Sequence, residues 1–368
     1  MSTTDHLKFS LPLWPGLQPE EIRSHVIPTL IECRSVIKDL YVTSRTPPFS
    51  ADAMGGVLLE GEDQVALDNA FYVSDKTGIP LSLTYNNITV APTAENYRIF
   101  VNNFRPLYER GVRIVTIPNT LWLLFGLKTE FPELYVKNTV LNEVQTATAV
   151  YKLFGAGFDY INLDRNVLRN RTLLSEVLEV KNRLMRKLDR PLEVSILYNE
   201  MCAPSCSIQK DHYMYNFHRT VDDPAFFENN SNACVSPCGQ QRDTTADYIL
   251  KSAGVPTYYS YLSYLTKYID VFKLHGRESA QQFWTSLQTV MDFNSKSINS
   301  ADPYRRILDS VSPEIKALYL SKIEDCKFNC WKCNVCSSIA ESYERYTKAT
   351  TNVVSPESKF NVVIERTS

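Results

Sequence analysis

The sequence has 368 residues, of which 44% are hydrophobic and 22% are charged. This composition is typical of a soluble globular chain with a large core, and it excludes a disordered or collagen-like protein. The formal net charge of -2 excludes a global basic field that would attract nucleic acid or an anionic membrane, although it leaves room for a local basic patch. The length fits two domains, or one α/β barrel with an extension.

The N-terminal residues and the hydropathy pattern predict where the protein resides. The stretch Met1–Phe9 is polar and carries Asp5, His6 and Lys8, so it lacks the apolar segment of a secretory signal peptide. No apolar run long enough to span a membrane, about 18 residues, occurs in the sequence. We therefore expect a cytoplasmic protein with no membrane partner.

The predicted elements repeat one pattern along the chain: a helical segment ends in glycine, and a short β-rich run follows. Gly78, Gly111, Gly157 and Gly254 each precede such a run. A glycine just past a helix can adopt the left-handed conformation that ends the helix and turns the chain into the next strand. The pattern is therefore that of repeated βα units.

This pattern predicts eight strands, which is the number found in a (β/α)8 TIM barrel. The predicted strands are Asp39 to Arg45, Pro80 to Asn87, Arg113 to Asn119, Leu134 to Val140, Asp159 to Arg165, Leu192 to Asn199, Pro256 to Leu262 and Asp270 to Arg277. The clearest helical patterns between them are Thr93 to Arg110, Leu141 to Phe154, Leu168 to Leu188 and Ser279 to Phe293. Gln18 to Val36 is predicted as an extra helix ahead of the first strand. We place a TIM-barrel-like catalytic domain at residues 1–295 and a Cys-rich C-terminal extension at 296–368.

Polar side chains occur where the predicted strands end. In a parallel barrel the carboxyl ends of all strands lie on one face, so side chains from different strands converge there. The predicted substrate-binding residues are Arg45, Asn86, Asn119, Asn138, Arg165 and Glu200, and the predicted catalytic residues are His275, Arg277 and His212. The alternative is turn chemistry, because Asn and Asp are favoured wherever a strand stops. That alternative accounts least well for the three arginines.

Eight of the nine cysteines fall into two groups, and Cys33 stands alone. In a large chain without a signal peptide, such groups indicate metal binding more often than disulfides. The first group consists of Cys202, Cys206, Cys234 and Cys238, in a long loop at 201–247 that follows the sixth predicted strand. Thiolates at close spacing are ligands for iron–sulfur clusters or zinc. Four of them over the mouth of a barrel predict one metal centre.

The second group consists of Cys326, Cys330, Cys333 and Cys336. It lies between two helical patterns, Pro313 to Ile323 and Ser337 to Tyr346, which favours a small closed fold around a second metal. The spacing leaves open whether that metal is an iron–sulfur cluster or zinc.

Three segments carry a resemblance to a known family. They are Asn199-Glu-Met-Cys202 after a strand, Cys234-Val-Ser-Pro-Cys238, and Ile269-Asp-Val-Phe-Lys-Leu-His-Gly-Arg-Glu-Ser279. Together they resemble the U-32 family of collagenase-like peptidases, over approximately Leu40 to Phe293. The resemblance implies a TIM-barrel-like fold and a 4Fe-4S cluster held by four cysteines.

The match is residue by residue, with two departures. Cys202 and Cys206 match the family's first two cluster ligands, and Cys234 or Cys238 matches the third. The family's fourth ligand falls near Tyr258 to Tyr261, where this chain has no cysteine, so the second cysteine of the Cys234/Cys238 pair would replace it. The family's Lys-Ile-Glu-Gly-Arg is Lys-Leu-His-Gly-Arg here, which puts a histidine at the glutamate position.

The resemblance implies an oxygen-independent hydroxylase, because that family includes hydroxylation proteins for RNA and for ubiquinone precursors, with prephenate as the implied source of the hydroxyl group. Arg45, Arg165 and Arg277 would suit such a dicarboxylate through bidentate pairing. We expect an iron–sulfur-dependent hydroxylase or related redox enzyme that acts on RNA or a small aromatic substrate. The alternatives are a non-catalytic cluster-bearing scaffold or partner subunit, and a peptidase, for which the sequence offers no nucleophile with an adjacent base.

Overall fold

The computed structural model describes residues 7–44, 48–49, 62–218, 245–276, 279–296 and 302–351. For residues 62–63, 215–218 and 348–351 it describes the backbone alone. Four predicted site residues, Arg45, Arg277, Cys234 and Cys238, lie outside the described residues.

Among the described residues, eight parallel β-strands close into a barrel. Each strand pairs with the next along the chain, and the last pairs with the first. The strands are β1 (Lys8–Pro12), β2 (Ile37–Thr43), β3 (Leu81–Thr84), β4 (Ile114–Ile117), β5 (Tyr135–Asn138), β6 (Tyr160–Asn162), β7 (Glu193–Leu197) and β8 (Val271–Lys273). The predicted (β/α)8 TIM-barrel fold is confirmed.

Helices flank the barrel. In the described ranges they are α1 (Pro19–Glu21), α2 (Ile27–Glu32), α3 (Glu62–Thr77), α4 (Ala94–Glu109), α5 (Thr120–Leu124), α6 (Leu127–Glu130), α7 (Ala147–Ala156), α8 (Arg171–Leu188), α9 (Gln209–His218), α10 (Ala246–Lys251), α11 (Tyr259–Leu265), α12 (Ala280–Asn294), α13 (Pro303–Leu308), α14 (Pro313–Ile323) and α15 (Val335–Thr351). Thr93, Thr146 and Ser279 start α4, α7 and α12, since each hydroxyl accepts a hydrogen bond from the backbone N–H three residues later. None of the helices in these ranges combines the length and apolar character needed to cross a membrane.

The predicted strand Pro256 to Leu262 is wrong. Its second half belongs to α11, whose buried residues Tyr261, Leu262, Tyr264 and Leu265 have helical spacing. The tyrosines there favour a strand locally, and burial of one helical face overrides that preference.

The strand that completes the barrel is β1, at the N-terminus. Leu7, Phe9, Leu11 and Leu13 alternate with other residues and are all buried, which is the period of a strand. The predicted extra helix Gln18 to Val36 therefore lies inside the barrel sequence, because α1 and α2 connect β1 to β2.

The barrel interior contains a buried ion pair. Lys137 Nζ of β5 lies 2.5 Å from Asp39 Oδ2 of β2, and the two side chains are 4% and 0% exposed. Two strands separate β2 from β5, so these side chains can meet only through the interior. Ser10 of β1 adds a hydrogen bond of 2.6 Å to Asp39 Oδ1, which ties three strands together.

The C-terminal segment packs on the barrel rather than apart from it. Helix α15 packs against α10, and the Tyr319 hydroxyl of α14 donates a 2.8 Å hydrogen bond to the carbonyl of Leu250. Tyr304, Tyr319 and Ile339 belong to the same hydrophobic cluster as the barrel residues. The C-terminal segment is thus held against α10 and the residues that follow it.

Candidate active site at the carboxyl end of the barrel

The site is built where β6 and β7 end. The two strands pair in parallel, so the segments that follow them emerge side by side. After β6, Asp164 Oδ1 accepts a 2.8 Å hydrogen bond from Asn166 N and starts a short 3₁₀ helix that carries Arg165. After β7, the chain reaches Glu200 and Cys202 within five residues of Leu197.

Arg165 and Glu200 form a buried ion pair at this junction. Arg165 Nη1 lies 2.7 Å from Glu200 Oε1, and the side chains are only 2% and 5% exposed. Burial opposes the charged form of Arg165, but the carboxylate of Glu200 outweighs it and raises the pKa of the guanidinium well above its ordinary value. The guanidinium of Arg165 therefore stays protonated across the physiological range.

Tyr213 holds the second nitrogen of the same guanidinium. Its hydroxyl accepts a 2.7 Å hydrogen bond from Arg165 Nη2. Burial, and then the charge of Glu200, raise the pKa of Tyr213 above its ordinary value, so the phenol stays protonated. Arg165 is thus oriented by two partners, and its Nε is buried with no hydrogen-bond partner among the described residues.

The thiol of Cys202 contacts this cluster directly. It donates a hydrogen bond of 3.2 Å to Glu200 Oε1, the oxygen that also binds Arg165. The Cys202 carbonyl accepts a 2.9 Å hydrogen bond from Ala253 N, which fixes the backbone. A carboxylate that can accept the thiol proton and a cation that favours the thiolate lie next to the same sulfur.

These groups line one cleft of about 430 Å³, part of which is open to solvent. Its lining includes Arg165, Glu200, Cys202, Cys206, His212 and Tyr213. Five residues predicted from the sequence, all of these except Tyr213, therefore converge as expected of a barrel mouth.

The other described candidates lie apart from that cleft. Asn138 is fully buried, and its side chain bonds the backbone of Asn162 on the neighbouring strand, so its amide serves the barrel wall. Asn119 donates a 3.4 Å hydrogen bond to the carbonyl of Val90, and Asn86 is a buried residue beyond β3.

His275 follows β8 and is held through its backbone. The side chain of Asn199 donates to the His275 carbonyl at 2.9 Å and accepts from its N–H at 2.8 Å. Ser286 Oγ donates to the same carbonyl at 2.6 Å. The position of the histidine after the last strand is therefore well defined, although the residue does not line the cleft that Cys202 and Arg165 share.

The predicted metal ligands among the described residues of the cleft are half-buried thiols, which are the type of ligand that a soft metal prefers. The side chains of Cys202 and Cys206 are partly exposed, and the remaining two predicted ligands of this centre fall in the stretch 219–244 that the structure does not describe. Within the described residues, no three His, Cys, Asp or Glu side chains form a preformed metal site. The match to a thiophilic metal therefore rests on the type of ligand and not on a preformed arrangement of ligands.

Two residues of this region were not predicted from the sequence. Tyr213 directly follows the predicted His212, but nothing in the sequence connects its hydroxyl to Arg165. Arg169 lies four residues after Arg165 and is fully buried. A second arginine one helical turn later was the available signal for it.

Comparison with known proteins gives matches to solved structures alone: no protein-family model matches the chain, and a search of curated proteins finds no match. A U32 peptidase structure is 13% identical, with a TM-score of 0.46, and the alignment covers 73% of this chain and 93% of that one. A deoxyribose phosphate aldolase from Aeropyrum pernix is 10% identical, with a TM-score of 0.33, over 53% of this chain and 76% of that one. An α-L-arabinofuranosidase from Thermotoga maritima is 9% identical, with a TM-score of 0.35, over 68% of this chain and 57% of that one.

Proposed function

We propose that the chain is a (β/α)8-barrel redox enzyme whose iron–sulfur centre is held at the mouth by Cys202, Cys206, Cys234 and Cys238, and that it hydroxylates RNA or a small aromatic substrate without oxygen. One observation carries the proposal. The thiols of Cys202 and Cys206 line the same cleft as the buried Arg165–Glu200 pair, at the end of the barrel where catalytic residues of this fold lie.

One cation and one proton acceptor lie beside the Cys202 sulfur. Arg165 interacts electrostatically with the Cys202 sulfur, and a cation beside a thiol favours its deprotonated form. Glu200 Oε1 accepts the hydrogen bond of that thiol, so it is placed to take the proton that the sulfur must lose when it becomes a ligand. When bound, an iron–sulfur centre supplies one-electron transfer.

The remaining residues have roles in orienting Arg165, in proton transfer and in substrate binding. Tyr213 fixes the guanidinium plane of Arg165 through its 2.7 Å hydrogen bond. His212 lines the same cleft and is the candidate for proton transfer with substrate, since an imidazole changes its charge near neutral pH. In the proposal, Arg45 and Arg277 complete an anion site for a dicarboxylate such as prephenate, because both follow strands that end at this face.

The first experiment tests the centre itself. Full-length protein purified without oxygen should absorb broadly at roughly 400 nm and should contain iron and acid-labile sulfide. Cys202→Ser and Cys206→Ser should each remove the portion of that absorption that belongs to the mouth. Cys33→Ala is the matched control, because Cys33 is a buried cysteine of the hydrophobic core, and it should keep the full spectrum.

Colourless protein with stoichiometric zinc and no iron would contradict the proposed centre. If the centre is present, the reduced protein is incubated anaerobically with prephenate and either RNA or a phenolic acid, and products are analysed by mass spectrometry for the gain of one oxygen atom. A loaded protein that gives no such product with either class, alone or with cell extract, would favour the non-catalytic cluster-bearing subunit.

A further inference from the structure

Arg169 is a fully buried cation that has no acidic partner among the described residues. It is 1% exposed. Nη1 donates to the carbonyl of Leu250 at 3.1 Å, and Nη2 donates to the carbonyl of Ser252 at 2.7 Å and to the Tyr319 hydroxyl at 3.3 Å. Nε has no hydrogen-bond partner within the part of the chain that the structure describes. A buried charge is costly unless an opposite charge compensates it, and neutral carbonyls do so only in part. A nearby anion would therefore stabilise the guanidinium.

The titratable groups that interact most strongly with Arg169 are tyrosines and a cysteine, namely Tyr319, Tyr304, Cys326 and Tyr261. Cys330 and Cys336 also interact electrostatically with this guanidinium. The centre of the Phe328 ring lies 4.7 Å from the guanidinium carbon, which covers one side of the cation. Of these groups the cysteines are the ones that metal binding deprotonates at neutral pH.

The backbone after Cys326 folds back on itself beside Arg169. Lys327 N donates to the Arg169 carbonyl at 2.8 Å, which anchors the segment. Tight turns follow, with Asn329 N bonded to the Cys326 carbonyl at 3.1 Å and Cys333 N to the Cys330 carbonyl at 3.4 Å. Cys326 and Cys333 both interact electrostatically with Cys330, so the three side chains are neighbours on this segment.

Cys336 joins them from the first turn of α15. Its sulfur lies 3.7 Å from the Leu250 carbonyl, the same oxygen that binds Arg169 Nη1. Arg169 and the other three cysteines of the group all interact electrostatically with this sulfur. The four sulfurs and the guanidinium therefore occupy one neighbourhood.

We propose that Cys326, Cys330, Cys333 and Cys336 bind one thiophilic metal centre, either zinc or an iron–sulfur cluster, and that Arg169 is its buried counter-cation. On binding, each thiol releases its proton to solvent and forms a metal–sulfur bond. Four thiolates around Zn²⁺ leave a net charge of about -2, and four thiolates around an oxidised 4Fe-4S core leave the same. No three of these thiols form a preformed metal site in the described structure, so binding requires them to close on the metal by rotation about χ1 between staggered positions.

This centre is distinct from the one proposed at the mouth, but two adjacent backbone residues connect them. Ser252 accepts a hydrogen bond from Arg169, and the next residue, Ala253, donates one to the Cys202 carbonyl. The C-terminal centre does not depend on the proposed activity, because its ligands and its counter-cation are different residues.

Metal content and thiol reactivity test the proposal on the full-length protein. Iron, zinc and acid-labile sulfide per chain are counted for the anaerobically purified wild type and for Cys330→Ser. The variant should lose one centre: zinc alone would identify a zinc site, and iron with sulfide a cluster. Cys202→Ser and Cys33→Ala are controls that should keep this centre. They show whether the C-terminal centre exists even if the centre proposed at the mouth does not.

Alkylation by iodoacetamide gives a second readout. Mass spectrometry of the peptide that spans Cys326 to Cys336 should find its thiols protected in native wild type, exposed after a strong chelator, and exposed without chelator in Cys330→Ser. Unchanged metal content in Cys330→Ser, or full alkylation of the wild type before chelation, would overturn the proposal.

The role of Arg169 is tested by two substitutions. Arg169→Met removes the cation and should weaken metal retention in a chelator competition by about 10- to 100-fold, whereas Arg169→Lys keeps a charge and should retain more. Equal retention in both variants would contradict the counter-cation role. If Arg169→Met does not fold, as judged by circular dichroism, Arg169→Gln replaces it, because the amide keeps a hydrogen-bond donor for the carbonyls but removes the charge. Metal retention in Arg169→Gln equal to that in Arg169→Lys would contradict the counter-cation role.

Discussion

At the scale of single residues, Gly276 shows how the end of β8 depends on one missing side chain. Its φ is +152°, and a Cβ at this position would lie 2.7 Å from the Gln282 carbonyl oxygen and 2.9 Å from Ser286 Oγ. The same Ser286 hydroxyl holds the His275 carbonyl. The Lys-Leu-His-Gly segment therefore requires glycine so that α12 can approach the mouth.

Gly276→Ala should lower the free energy of unfolding by about 2–4 kcal/mol, because it combines backbone strain with overpacking. Urea denaturation followed by circular dichroism measures the change. Gly155→Ala is the matched control, since Gly155 lies within α7 and a methyl group added there would meet no atom within 4 Å, and it should stabilise by about 0.5–1 kcal/mol. Equal stability of the two variants would contradict the assigned role of Gly276.

The site residues differ in how far the sequence could place them. Arg165, Glu200 and Cys202 were predicted because they follow strands, and the parallel barrel brings strand ends together whatever the details of packing. Asn138 also ends a strand, yet its amide bonds the adjacent strand. Sequence position gives the end of the strand but not the direction of the side chain.

At the scale of elements, the buried pair Asp39–Lys137 links β2 and β5 through the barrel interior. Removal of one partner leaves the other charge buried and uncompensated, which is more costly than removal of both. The same reasoning does not hold for an exposed pair, because water replaces the lost partner.

Asp39→Asn and Lys137→Met should each lower the free energy of unfolding by about 3–5 kcal/mol. The double variant should lose clearly less than the sum of the two single losses, with a coupling of about 0.5–3 kcal/mol. The control is Arg105–Glu130, a 2.7 Å pair whose side chains are 45% and 46% exposed, and its removal should cost at most about 1 kcal/mol. Additive losses at Asp39 and Lys137 would show that the pair does not act as one unit.

Seven of the eight barrel strands were predicted from short β-rich runs, three of them after Gly78, Gly111 and Gly157, and the eighth was misplaced. In α11, closely spaced tyrosines concealed a helical face, while β1 was missed because its beginning belongs to the polar stretch Met1–Phe9. Both errors have the same physical origin, since local preference is weak and the partner surface decides which period is buried.

At the scale of the whole molecule, closure of the barrel depends on β1. This strand pairs with β2 on one side and with β8 on the other, so its loss opens two edges at once. Exposed edges of a parallel sheet leave backbone groups unpaired and promote aggregation.

Deletion of residues 1–12 should therefore abolish cooperative thermal unfolding and yield aggregated protein, as measured by circular dichroism and size-exclusion chromatography. Deletion of residues 1–6 is the matched control, because it keeps all of β1, and it should retain a cooperative transition. A folded, monodisperse protein without residues 1–12 would mean that β1 is dispensable for closure.

The sequence by itself determined the barrel class, most of its strands and the grouping of the cysteines, because these follow from periodicity and spacing along the chain. Tertiary structure alone decided that β1 closes the barrel, that Arg165 pairs with Glu200 and Tyr213, and that the buried Arg169 shares the Leu250 carbonyl oxygen with the Cys336 sulfur. These last contacts join residues that are far apart in sequence. Their energies depend on burial and on the direction of each side chain, and neither quantity exists before the chain has folded.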